Sequence, residues 1–270
     1  MLRAIKRFVA PWIGPLTLQS HILTRSDGAT IAYDKIDGKS PAVIFLHGLN
    51  SDRRGKKAQA LGKHCQETGR MFIAFDMFGH GDSSGDFVDG TISRWTEDAI
   101  AVIDHIGNGP HLLVGSSMGG WVMLRAALKR TDQVGALIGI AAAPDFTEDL
   151  VWASLSEEQK SILESQGCLE QPSDYADEPY IISMALIEDG RHCLLLGDTI
   201  ELHMPVCLIQ GQRDQDVPWK TVLKLSGAIA SPDVKVVLVK DGDHRLSRPE
   251  DLQSLASEVN LLIQKICDHQ

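Results

Sequence analysis

The sequence predicts an α/β fold with a mostly parallel central sheet, helices on both faces, an antiparallel hairpin at the start and a short helical insertion late in the chain. Three observations carry this expectation: short wholly apolar runs recur along the chain, helix-like segments separate most of them, and one run ends in a serine boxed by glycines. Apolar runs of this length suit strands buried on both faces, and strands alternating with helices imply parallel pairing.

Taken in order, "HILTRSDGATIAYDKIDG" from His21 reads as a hairpin turning at Ser26-Asp27-Gly28. The buried strands follow at 41–48, 71–76, 111–116, 134–143, 206–211 and 234–242, with helices near 52–68, 92–107, 118–130, 219–230 and 250–267. Residues 147–203 break the rhythm. They hold two helix-like pieces, "LVWASLSEEQKSILESQG" and "YIISMALIEDG", separated by the loop-like "CLEQPSDYADEP". The segment is too short to bury much of its own, so residues 1–270 are expected to form one domain with a lid or cap at about 147–203.

At 270 residues and 43% hydrophobic content, the chain has enough apolar material for a large core. A formal net charge of −10 argues against a nucleic-acid surface, which normally shows a basic stripe. Five scattered cysteines, Cys65, Cys168, Cys193, Cys207 and Cys267, form no Cys-x-x-Cys pair and suit a reducing compartment. The first 26 residues carry Arg3, Lys6, Arg7 and Arg25 and no acid, but Pro11 and Pro15 break the apolar run from Phe8 to Leu18. No small-x-small cleavage site follows, so an ordinary N-terminal arm and a cytoplasmic location are the expectation. No run is long enough for an integral membrane segment.

Gly115-Ser116-Ser117-Met118-Gly119 fits G-x-S-x-G where a strand passes directly into a helix. Small residues on either side of such a turn let the chains cross, while the helix start favours a developing anion. A serine hydroxyl needs a base, and His244, just after the last apolar run, lies where a doubly wound sheet places its ligand site. The base needs a carboxylate. Asp214 is the choice, with Asp145 as runner-up and Asp216 read as a cap for the segment near Pro218. The backbone N–H groups of Leu49, after Gly48, and Met118 are candidates for an oxyanion hole. His47 is expected to hold its own loop.

"DMFGHGDSSGD" approaches the dinucleotide pattern G-x-G-x-x-G, but Ser84 replaces the third glycine and Asp82, Asp86 and Asp89 would repel a pyrophosphate. Trp152, Tyr175, Tyr180, Met184 and Ile187 suit an acyl pocket beneath the lid and lid packing equally well.

The motifs "FLHGLNSD", "FDMFGHGDSSG", "LVGSSMGGW", "GQRDQDVP" and "DGDHR" together resemble the α/β-hydrolase superfamily from about residue 20 onward. The order Ser, Asp, His is that superfamily's order. "GPHLLVGSSMGGWVMLRAAL", "RHCLLL" and "DVPW" are similar to a branch that cleaves acyl-protein thioesters and acyl glucuronides. The resemblance implies Ser117, Asp214 and His244 as a triad acting on small-molecule or acyl-protein esters or thioesters, with no cofactor and no metal. Rival readings use the same residues for carbon–carbon bond hydrolysis or perhydrolysis, or keep the pocket only to bind a ligand. Haloalkane dehalogenases and epoxide hydrolases normally carry an aspartate where Ser117 stands.

Overall fold

A computed structural model describes residues 18–107, 109–171 and 180–268. The basic arm at 1–17 and Tyr175 therefore lie outside the described residues.

The hairpin pairs β1 (Gln19–Thr24) with β2 (Thr30–Ile36), and Gly28, at φ 85°, sits in its turn. Then come β3 (Lys39–Leu46), α1 (Lys56–Thr68), β4 (Arg70–Phe75), α2 (Ile92–Ile106), β5 (His111–Ser116), α3 (Met118–Lys129) and β6 (Val134–Ile140). After the insertion the chain resumes with β9 (Val206–Gly211), α6 (Lys220–Ala228), β10 (Val234–Val239) and α7 (Pro249–Asp268). The eight strands form one sheet in the order β1-β2-β4-β3-β5-β6-β9-β10. Pairing is antiparallel for β1–β2 and β2–β4 and parallel elsewhere.

The two faces of the sheet explain the apolar runs. On β3, Ile44 and Leu46 join the core with α2 and α3, where Trp95 and Trp121 are buried. Val43 and Phe45 enter the opposite core, built with α1 and α7 around Leu61, Val259 and Ile263. Every residue of β5 and β9 is buried, as strands covered on both sides require. At the edge, β10 is only partly covered, and Lys235 and Leu238 are exposed.

The insertion departs from the expectation. A single π-helical turn, Thr147–Trp152, precedes α4 (Glu157–Gln166), which opens with a Ser156–Gln159 capping box and closes on Gly167 at φ 77°. Cys168–Gln171 (β7) then pairs antiparallel with Tyr180–Ser183 (β8), so both the loop-like stretch and the second helix-like piece begin as strand. Ser183 accepts a hydrogen bond from Leu186 N and starts α5 (Met184–Arg191). The β-branched and aromatic residues of Tyr-Ile-Ile favour strand, and the serine cap marks the switch to helix.

A buried ion cluster fixes the loops at the carboxyl ends of β3 and β4. The Arg53 side chain is 3% exposed. Its Nε lies 3.2 Å from Asp34, its Nη2 lies 2.7 Å from Asp82, and its Nη1 bonds to the fully buried Asp76. Asp76 also accepts from Arg53 N at 2.7 Å and Asp82 N at 2.9 Å. The glycines of the dinucleotide-like stretch serve this packing, since a Cβ on Gly81 would collide with the Asp76 carboxylate. Arg53→Met strands two buried carboxylates without their cation and is expected to cost about 3–5 kcal/mol in urea unfolding. An unchanged midpoint would contradict that dependence.

Candidate active site

Ser117 stands between the last residue of β5 and the first of α3 with φ 53° and ψ −121°. The turn is pinned from several sides. Ser117 N donates to Ile140 O at 2.9 Å, and Ser117 O accepts from Gly120 N at 2.8 Å and Ala143 N at 3.1 Å. A Cβ on Gly115 would strike the Gly119 carbonyl, and one on Gly119 would strike those of Leu46 and His47. The glycine spacing thus answers to backbone crossing, and the tight turn lifts the serine side chain clear of the sheet.

Two loops bring the partners. His244, beyond β10, places Nε2 3.1 Å from Ser117 Oγ and Nδ1 2.9 Å from Asp214 Oδ2. Asp214, beyond β9, has a side chain fully shielded from solvent. Its Oδ1 accepts from Asp216 N at 2.9 Å and Val217 N at 2.8 Å. Its Oδ2 accepts a further bond, 2.7 Å, from Gln210 Nε2. The sequence reading passed over Gln210. Its signal was a lone polar side chain inside the otherwise apolar "VCLIQG", a position that burial permits only with partners.

The rival carboxylates lie elsewhere. Asp216 Oδ2 is 3.9 Å from His244 Nδ1 on a partly exposed side chain, farther from that nitrogen than Asp214 Oδ2. Asp145, at φ 60°, accepts from Leu195 N and Leu196 N at 2.8 Å each and ties down the end of the insertion. Burial raises its carboxyl pKa, and those two amides oppose the shift. Asp214, Asp216 and His244 also present ligand atoms within 4.8 Å of one another, a spacing a metal ion accepts. Asp214's oxygens are already engaged by Gln210, His244 and two backbone amides.

The loop carrying Leu49 runs against the serine, because a Cβ on Gly48 would lie 3.3 Å from Ser117 Cβ. His47 holds that loop as expected. Its Nδ1–H donates to Gly48 O at 2.8 Å, and its Nε2 accepts from Met77 N at 3.1 Å. Burial pushes its pKa down to about 4, which keeps the ring neutral and able to do both. Met118 N belongs to the opening residue of α3, on the other side of Ser117.

A cavity of about 310 Å³ opens beside Ser117 and His244, lined among others by Leu49, Asn50, Lys56, Lys57 and Arg245. Trp152, Met184 and Ile187 do not line it. They pack instead into the insertion's own cluster with Leu155, Leu163, Leu169 and Ile182, and the Arg191 guanidinium covers the Trp152 ring at 4.5 Å. Tyr180 begins β8, which pairs it with Gln171.

The chain belongs to the α/β-hydrolase fold family, whose model matches residues 41–167. Among its relatives is the mitochondrial palmitoyl-protein thioesterase ABHD10 of Mus musculus, 40% identical over 245 residues that cover 90% of this chain and 82% of the mouse protein. The Homo sapiens counterpart is 38% identical over 90% of this chain and 80% of its own length. Two solved structures are similar over 92% of this chain and 99% of theirs: a putative hydrolase from Agrobacterium vitis S4, TM-score 0.88 and 39% identical, and mouse alpha/beta hydrolase domain-containing protein 10, TM-score 0.85 and 38% identical. The ABHD10 relatives are named mitochondrial, which overturns the cytoplasmic location expected above. Unpaired thiols argue only against an oxidising compartment and do not choose among reducing ones.

Gln210→Leu removes a charge-assisted hydrogen bond from Asp214. It is expected to lower kcat/KM for a short p-nitrophenyl ester by about tenfold. Full activity in that variant would mean Asp214 is oriented without the amide.

Proposed function

We propose that this chain is a serine hydrolase of carboxylic esters and thioesters working through an acyl-enzyme. One observation carries the reading: an unbroken hydrogen-bonded line from Ser117 Oγ through His244 to buried Asp214, with Ser117 on a strained strand-to-helix turn. His244 Nε2 takes the hydroxyl proton as Oγ attacks the acyl carbonyl. Asp214 holds the Nδ1–H tautomer and stabilises the imidazolium, while Leu49 N–H and Met118 N–H receive the oxyanion. As the tetrahedral adduct collapses, His244 gives the proton to the leaving alcohol or thiol. Water, deprotonated by His244, then attacks the acyl-enzyme and frees the acid and Ser117.

The relatives named palmitoyl-protein thioesterases support acyl thioesters as substrates and a mitochondrial setting for this chain. Residues 147–203 act in this reading as a cap within one domain. Ser117→Ala is expected to lose labelling by a fluorophosphonate probe and to lower kcat by more than about a thousandfold. Wild-type turnover in that variant, measured on purified protein with a short p-nitrophenyl ester, would remove Ser117 as nucleophile.

A further inference from the structure

The cavity beside Ser117 has a charge character opposite to that of the chain around it. Lys56, Lys57 and Arg245 line it against a single carboxylate, Asp52, in a protein whose formal net charge is −10. Asn50, Ser51 and Ser247 add polar groups, which suit an aliphatic acyl chain poorly. Lys57 is built in: its Nζ donates to Arg245 O at 2.6 Å, one residue past His244, and lies 3.5 Å from Ser247 Oγ. Burial lowers its pKa to about 8, Asp243 opposes that shift, and the positive charge of Arg245 adds to it. Asp251 also opposes the shift.

The start of α1 reinforces the sign. Lys56 is its first residue, Gly55 supplies no side-chain cap, and no acidic residue stands in the first turn. The positive end of a helix of 13 residues therefore meets the same cavity.

Position decides which part of a substrate meets these groups. The leaving group must come within reach of the His244 proton, and the cavity is walled by His244 with Arg245 and Ser247 beyond it. Building on the hydrolase reading above, we propose that this cavity is a leaving-group subsite for a phosphate monoester, so that the preferred donors are acyl thioesters of a phosphate-bearing thiol. A phosphate dianion suits a lining in which Lys56, Lys57 and Arg245 outnumber Asp52, and its three terminal oxygens use more donors than a carboxylate can.

The test compares hexanoyl thioesters of 2-mercaptoethyl phosphate, 3-mercaptopropionate and N-acetylcysteamine. Wild-type kcat/KM is expected to favour the phosphate donor over the neutral one by about tenfold at low ionic strength, and the preference is expected to shrink at about 0.5 M salt. The doubly substituted K56Q/R245Q changes two exposed side chains and is expected to bring that ratio near unity. Equal rates for phosphate and neutral donors in the wild type, a preference for the carboxylate donor, or a ratio untouched by the double substitution would each overturn the subsite. Titration of the intact donors into Ser117→Ala reads the same preference without turnover. If the wild type cleaves none of the donors while this variant still favours phosphate, the hydrolase reading falls and the subsite stands; if the variant shows no phosphate preference, the subsite falls.

Discussion

The backbone of Ser117, at φ 53° and ψ −121°, is strained by roughly 1–3 kcal/mol, and the surrounding chain is arranged to hold it there. Neighbouring strands and helices close around the turn. β6 supplies the carbonyl of Ile140, the chain beyond β6 supplies the amide of Ala143, and α3 supplies the amide of Gly120. Gly115 and Gly119 let β5, α3 and the end of β3 cross at distances no side chain permits. The strain is offset by packing the protein would form anyway, since β5 and the adjacent faces of α3 are wholly buried.

A similar economy governs the loops. The loop of Gly48 and Leu49 is held beside Ser117 because His47 bonds at once to its own loop and to the chain after β4, and because Arg53 gathers carboxylates from β2 and the β4 loop. Asp214 is likewise held by two backbone amides and the Gln210 side chain before His244 adds its bond. Groups so fixed reorganise little as charge develops, which is the condition under which hydrogen bonds lower a barrier most.

Much of this was legible in the sequence because burial writes directly into composition. β5 and β9 read as continuous apolar runs since both faces are covered, and Gly115-Ser116-Ser117-Met118-Gly119 read as a crossing because only glycine fits there. The helical positions outside the insertion agreed within a few residues for the same reason. The insertion was harder to read. Tyr180–Ser183 carries apolar residues that suit either state, and its pairing with Cys168–Gln171 depends on contacts across a gap in the chain. Gln210 left a local trace, a lone polar side chain in an apolar run, but the bond it makes to Asp214 and the amides that Asp145 holds are set by the fold, which the order of residues does not record.

The separate apolar cluster under the insertion, formed by Leu155, Leu163, Leu169, Ile182 and Ile187, shares none of these five side chains with the two cores flanking the sheet. Val151 nevertheless packs against both this cluster and the core beside α3, so the insertion keeps apolar material of its own while being seated on the body of the protein through shared side-chain contact.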